Sequence, residues 1–203
     1  MLQTQTVSPE LLELLEKIMK LDSFNDYLLV GGTSLALQMG HRNSIDIDLF
    51  GNCEINEELF TRTLNGFGTF EVFKKSKNIL ITSINGVKVD FVNYKYPLLR
   101  DYIVINGIRM ASKEDIAAMK INAIAGRGSK KDFIDLYFLL NEFSLTEIID
   151  FYLQKYFDGS KFMAIKSLSY FSDADIDQTP DIYLDFNWET CKQKIISEVL
   201  KLQ

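Results

Sequence analysis

Read as hydrophobic and polar positions, the chain changes character near its middle. The first half holds short apolar runs of strand length set between turn residues, whereas the second half repeats apolar residues at helical spacing. "SPELLELLEKIMKL" offers Ser8 as a cap and Pro9 at the first helical position. Leu11, Leu14, Leu15 and Ile18 share one face, so a helix is predicted. "YLLV" predicts a short buried strand, "TSLALQM" a short helix directly after a Gly31-Gly32 turn, and "SIDIDLF" a second strand. "NEELFTRTLNGFG" predicts a helix capped by Asn56 and followed by a turn. Three strands come next, "TFEVFKK", "NILITSI" and "VKVDFVNY", the last two joined by the hairpin signal Asn85-Gly86. "YIVI" and "IRMA" flank Asn106-Gly107 as a second hairpin or tight turn.

From Ser112 onward the pattern is helical. "SKEDIAAMKINAIAG" opens with a capping box of Ser112 and Asp115 and stops at Gly126. "SKKDFIDLYFLLNEF" starts at Ser129, and "SLTEIIDFYLQKYF" repeats the capping pattern through Ser144 and Glu147. A helix around "KFMAIKSLSYF", an acidic loop at Asp173–Asp177 and a last helix from about Trp188 to Leu200 complete the reading. The expected class is α+β: a core over residues 1–111, then a helical C-terminal region over 112–203 packed on it.

Two carboxylates interrupt the apolar pattern where a buried strand is expected. Residues two apart in a strand face the same side, so Asp46 and Asp48 project together and Ile45, Ile47 and Leu49 face the other way. Burying both without compensation costs several kcal/mol, and a divalent cation resolves the conflict. Hard oxygen ligands suit Mg²⁺ or Mn²⁺. Asp90, among Val89, Phe91 and Val92, offers a third carboxylate; beside the other two it makes a site for two metals about 4 Å apart, as phosphoryl transfer uses. Upstream, Gly31 and Gly32 let backbone approach a ligand, the following helix presents N–H groups to an anion, and Thr33 and Ser34 add hydroxyls. Strand, glycine turn, helix and D-x-D strand make a place for a triphosphate beside its metals. No Walker A loop and no G-x-G-x-x-G is present.

Composition narrows the chemistry. With 203 residues, 47% hydrophobic and 25% charged, the chain matches one sizeable domain or a compact pair of subdomains. Cys53 and Cys191 are too few and too far apart for a disulfide framework or a metal site, and the single histidine, His41, argues against a Ser-His-Asp relay. "MLQTQTVSPE" shows no secretory pattern, and no run reaches about 18 apolar residues, so a cytoplasmic protein without a membrane partner is expected. A net charge of −6 is the wrong sign for a non-specific nucleic-acid coat, although the Lys113–Lys131 region offers a local basic groove.

"GGTSLALQMGHRNSIDIDLF", "VKVDFVNY" and "SKEDIAAMKINAIAGRGSKKDFIDLYFLL" resemble the AbiEii/AbiGii-type toxins of the nucleotidyltransferase superfamily. The resemblance implies a polymerase-β-like nucleotidyltransferase core with a helical C-terminal part. It implies that the glycine turn, matched at Gly32 and Thr33, holds nucleotide phosphates, with Gly31 and Ser34 beside them as the residues themselves suggest, and that Asp46, Asp48 and Asp90 bind Mg²⁺ or Mn²⁺. The superfamily more often has Ser after the second glycine, where Thr33 stands here. The family's later Lys and Asp match Lys120 and Asp132. Lys120 is either a point charge on the β- or γ-phosphate or a snorkelling lysine, Asp132 either catalytic or a helix-end carboxylate, and Asp135 a partner for Lys131 or Arg127. Arg42 either contacts phosphate or makes a structural salt bridge, and His41 is a packing or hydrogen-bonding residue rather than a general base. The implied activity moves an NMP from an NTP onto an acceptor, tRNA first among the candidates, as the toxin of a toxin–antitoxin or phage-defence pair with a cognate antitoxin. The alternatives are a catalytically silent nucleotide- or partner-binding module and a small-molecule nucleotidyltransferase.

Overall fold

The computed structural model describes residues 1–202, which form two compact units. The first takes Met1–Tyr96 and Tyr102–Ala111; the second takes Pro97–Asp101 and everything from Ser112. Among the described residues no helix is long and apolar enough to cross a membrane.

In the first unit, α1 (Pro9–Met19) begins where the Ser8 hydroxyl accepts the Leu11 N–H at 3.2 Å. Then come β1 (Leu28–Leu29), α2 (Gly31–Met39), β2 (Asp46–Gly51) and α3 (Glu57–Asn65), the last capped by Asn56 through the Leu59 N–H at 3.0 Å. Strands β3 (Phe70–Ser76), β4 (Ile79–Ile84), β5 (Val87–Asn93), β6 (Ile103–Ile105) and β7 (Ile108–Met110) follow. They form one mixed seven-stranded sheet in the order β3-β4-β5-β2-β1-β7-β6, with β2–β5 and β1–β7 parallel. Both Asn-Gly turns take positive φ at both residues (51° and 84° at Asn85-Gly86, 53° and 78° at Asn106-Gly107), which fits the twist of a two-residue hairpin.

Period-two alternation decides which face is core. Ile47, Leu49, Leu80, Val89 and Phe91 are fully buried and cluster with Leu11, Leu15 and Ile18 of α1 and with Phe60 and Leu64 of α3. Phe24 and Phe60 meet edge-on at 4.8 Å, the geometry that ring quadrupoles favour. Ile45 precedes β2 and is 71% exposed, so the apolar side of this strand is carried by Ile47 and Leu49 alone. Arg109 of β7 donates to the carbonyls of Met19, Phe24 and Tyr27 at 2.9, 2.9 and 3.2 Å, satisfying acceptors left at the end of α1 and in the loop after it.

The second unit holds α4 (Lys113–Gly126), α5 (Lys130–Leu139), α6 (Leu145–Lys155), α7 (Lys161–Ser167), α8 (Ser172–Ile176) and α9 (Trp188–Leu200). The capping box at Ser144 and Glu147 is complete. At Ser112 only half of it forms: the hydroxyl accepts the Asp115 N–H at 3.0 Å, and the Asp115 carboxylate accepts the Ser112 hydroxyl at 2.8 Å and further donors from beyond the helix start. It accepts the N–H groups of Leu99 and Arg100 at 3.0 and 3.2 Å and the ammonium of Lys155 at 2.7 Å, Asp115 and Lys155 both being buried. Lys155 also donates to the Pro97 carbonyl at 2.7 Å, which ties Pro97–Asp101 to this unit. The stretch expected as an acidic loop is the short helix α8, and its end is structural. Asp177 accepts the Lys130 N–H at 3.0 Å, while Asp175 accepts from Trp188 Nε1 at 2.7 Å and Lys192 at 3.0 Å.

Candidate active site

The open end of the site is the start of α2. The glycines are not a loop before this helix: Gly31 and Gly32 are its first two residues. Val30 is its N-cap and supplies no side-chain cap, so first-turn N–H groups and the positive end of the helix dipole are presented to whatever lies in front. Gly31 has φ +67°, and a Cβ there would lie 2.6 Å from Asp48 Oδ2. A Cβ on Gly32 would collide with the Arg42 guanidinium. The glycine pair thus admits a carboxylate and a guanidinium against the helix start.

Thr33 and Ser34 are buried, and their hydroxyls are turned into the fold. The Thr33 hydroxyl lies 2.8 Å from Ser44 Oγ and also meets the Asp46 carbonyl, tying α2 to the start of β2. Ser34 Oγ accepts from Gln38 Nε2 at 3.1 Å. The Thr33 donor is thus engaged within the fold, and the Ser34 oxygen is used as an acceptor, because the first helical turn packs down on the neighbouring strand. Arg42 is only 3% exposed and donates to the Asn43 carbonyl at 2.7 Å; His41 is fully buried, a packing position.

Asp46 and Asp48 sit half-buried on the face of β2 away from the core. The parallel β2–β5 ladder sets Asp48 directly beside Asp90, and Asp46 beside Lys88. Adjacent residues across such a ladder project from the same face, so the two carboxylates are lateral neighbours. Lys88 holds one oxygen of Asp90 at 2.5 Å; the other, Asp90 Oδ1, is buried without a hydrogen-bond partner. A buried anionic oxygen without a donor is costly unless a cation or a proton meets it. Among the described residues no three His, Cys, Asp or Glu side chains are gathered round one point. The pair Asp48–Asp90, with Asp46 on the same face, nonetheless has the hard-oxygen donors a divalent cation takes, so the residues fit such an ion.

Lys120 and Asp132 belong to the second unit and are found together. The Lys120 ammonium is 2.9 Å from Asp132 and 2.6 Å from Asp135, all three buried. The partner expected for Asp135 was Lys131 or Arg127; Lys120 takes it. Arg127 Nε and Ser129 Oγ donate to Asp132 Oδ2 at 3.0 and 2.6 Å. Burial pushes the Asp132 carboxyl up, but the charges of Lys120 and Arg127 and the Ser129 hydroxyl outweigh it and hold the pKa down at about 2. Most of the cations of the Lys113–Lys131 stretch are engaged within the second unit. Lys113 meets Glu142, Lys120 and Arg127 meet Asp132, and Lys130 is held by the end of α8, so these four cations lie against acceptors, while Lys131 is exposed. Both cysteines are free, and burial pushes the Cys191 thiol up to about 12.

Comparison with known proteins identifies the arrangement. The family described as nucleotidyl transferase AbiEii toxin, type IV TA system, matches residues 13–106 and 87–201. The chain belongs to the AbiEii family. It is 40% identical over 189 residues to an uncharacterized protein of Aquifex aeolicus (strain VF5), covering 89% of this chain and 90% of that protein. MenT4, a nucleotidyltransferase toxin from Mycobacterium tuberculosis H37Rv, aligns over 96% of this chain and 83% of its own at 14% identity and a TM-score of 0.61. JHP933 from Helicobacter pylori aligns over 97% of this chain and 93% of its own at 16% identity, with a TM-score of 0.55. At such identities the likeness is one of fold. The AbiEii chain described here therefore has the expected α+β architecture, a polymerase-β-like nucleotidyltransferase core with a helical C-terminal part.

Proposed function

We propose that the protein transfers a nucleoside monophosphate from an NTP to an acceptor, with release of pyrophosphate. The observation that carries this reading is the Asp48–Asp90 pair, one of whose buried oxygens lacks a partner, beside the uncapped start of α2. The triphosphate would lie against the N–H groups of the first turn at Gly31, Gly32 and Thr33, with Arg42 behind Gly32 adding positive charge. Asp46, Asp48 and Asp90 would hold Mg²⁺ or Mn²⁺; the ion supplies charge neutralisation at the α-phosphate and the leaving oxygen. Asp90 would take the proton of the incoming hydroxyl as that oxygen bonds to the α-phosphorus. The bond from that phosphorus to the bridging oxygen breaks, and pyrophosphate leaves with the electron pair. Lys120 and Asp132 are proposed as further catalytic residues on the family resemblance alone, Asp132 by holding the Lys120 ammonium in place.

An RNA, with tRNA first, is the proposed acceptor on the family resemblance, and a cognate antitoxin is the proposed protein partner in keeping with the family's toxin–antitoxin description. The buried Lys120–Asp132–Asp135 cluster favours a second reading, a silent nucleotide-binding module, because it gives Lys120 a purely structural use. The deciding experiment is Mg²⁺-dependent transfer of label from each α-labelled NTP onto total cellular RNA, with Asp48→Asn alongside. Label that appears with the native protein and disappears in the variant supports the transferase. Nucleotide binding without transfer onto any acceptor would leave the module.

A further inference from the structure

We infer that Phe50 and Tyr94, continued by Tyr96, form a stacking platform for a nucleobase; this rests on the nucleotide-transfer reading of the adjoining carboxylates. The face of β2 and β5 that carries the carboxylates is divided along its length. The first two rows across the ladder are charged, Asp46 beside Lys88 and Asp48 beside Asp90. The third is apolar, Phe50 beside Val92, and β4 extends it with Ile79 opposite Val92. One step further the Tyr94 N–H donates to the Gly51 carbonyl at 2.6 Å, which places the tyrosine past the end of the ladder. Its ring lies 4.8 Å from that of Phe50 at 42°, and Tyr96 lies 5.3 Å from Tyr94 at 56°.

These three rings are no part of the first unit's aromatic core, which uses Phe24, Tyr27, Phe60 and Phe91 in the apolar cluster of the opposite face. All three are half-buried, on strand positions or just beyond them. Alternation alone asks for polar residues on the outward face, and it gets them at Asp46, Asp48, Lys88 and Asp90 but not at Phe50. A ligand that matches this face is charged at one end and flat and apolar at the other. A nucleotide is such a ligand. The rise from Asp48 to Phe50 is about 7 Å, the scale on which a ribose separates a phosphate from its base. Stacking on an aromatic ring tolerates any base, because every base has a π face. The base belongs either to the NTP or to the terminal nucleotide of an RNA acceptor, and both place a phosphate or hydroxyl at the carboxylates.

The test measures binding by calorimetry with Mg²⁺ present, for the native protein, Phe50→Leu and Tyr94→Leu, each shown to be folded by circular dichroism. The probes are each NTP, inorganic tripolyphosphate and a single-stranded oligoribonucleotide. Leucine keeps apolar volume and removes the flat face. NTP binding weakened about tenfold, with tripolyphosphate unchanged, supports the platform and assigns it to the NTP base. Unchanged NTP binding with about tenfold weaker oligoribonucleotide binding supports it for the acceptor base. Unchanged binding of both, or equal losses for NTP and tripolyphosphate, overturns it. Asp48→Asn separates the two readings: loss of Mg²⁺-dependent tripolyphosphate binding there, with Phe50→Leu silent, sinks the platform and leaves the transfer site standing.

Discussion

The Asp48 carboxylate occupies the space that a Cβ on Gly31 would need, 2.6 Å from that carbon's position. Gly31 also sits at φ +67°, where L side chains pay about 1–2 kcal/mol. Gly31→Ala should therefore lose that stability and displace Asp48, lowering the melting temperature and abolishing transfer. Gly126→Ala is the contrast: its Cβ meets nothing within 4 Å at the end of α4, and alanine there should be neutral or stabilising by up to about 1 kcal/mol. Thermal melts of the two variants, read together, check both signs.

Asp90→Asn should separate stability from activity. It removes one of two laterally adjacent negative charges and leaves an uncharged amide where Oδ1 now has no partner. Stability is expected within about 1 kcal/mol of native, while transfer falls by roughly a hundredfold or more. A large stability loss with activity kept would show the carboxylate to be structural.

Asp132 gives a pH dependence with a definite sign. Its carboxyl is held at about 2 against an ordinary 3.8. The stabilisation is present in full above the ordinary value, and it is lost as pH falls through about 2. Its size is about 2 kcal/mol. Urea unfolding followed between pH 6 and pH 2 should show this slope, and the difference between native protein and Asp132→Asn should carry it.

Lys120→Met should be severely destabilising. It leaves Asp132 and Asp135 buried with their shared ammonium gone, a change on the order of 3–5 kcal/mol. Adding Asp135→Asn to Lys120→Met should recover part of the loss, because one buried charge is removed with its partner. A double variant no more stable than the single would show that the pair is not coupled. If a folded double variant binds NTP as the native protein does, Lys120 has no part in holding phosphate.

Much of this molecule was settled by local pattern. Period-two alternation fixed which side of β2 and β5 is core, Asn-Gly fixed two hairpins, and Ser8, Asn56 and Ser144 fixed helix starts, since each depends on residues within a few positions of one another. The D-x-D pair and Asp90 were visible for the same reason: a carboxylate in an apolar strand breaks its pattern. What tertiary structure alone decided was partnership across sequence distance. That Asp48 lies beside Asp90 and not one register away, that Gly31 makes room for Asp48, and that Thr33 spends its hydroxyl on the Asp46 carbonyl all follow from strand pairing and helix docking. Asp115 read as half a capping box and became a buried hub for Lys155 and the Pro97–Asp101 segment, 40 residues from the lysine it holds. Buried charges must find counter-charges wherever packing brings them, so the chain order names the candidates and the fold chooses among them.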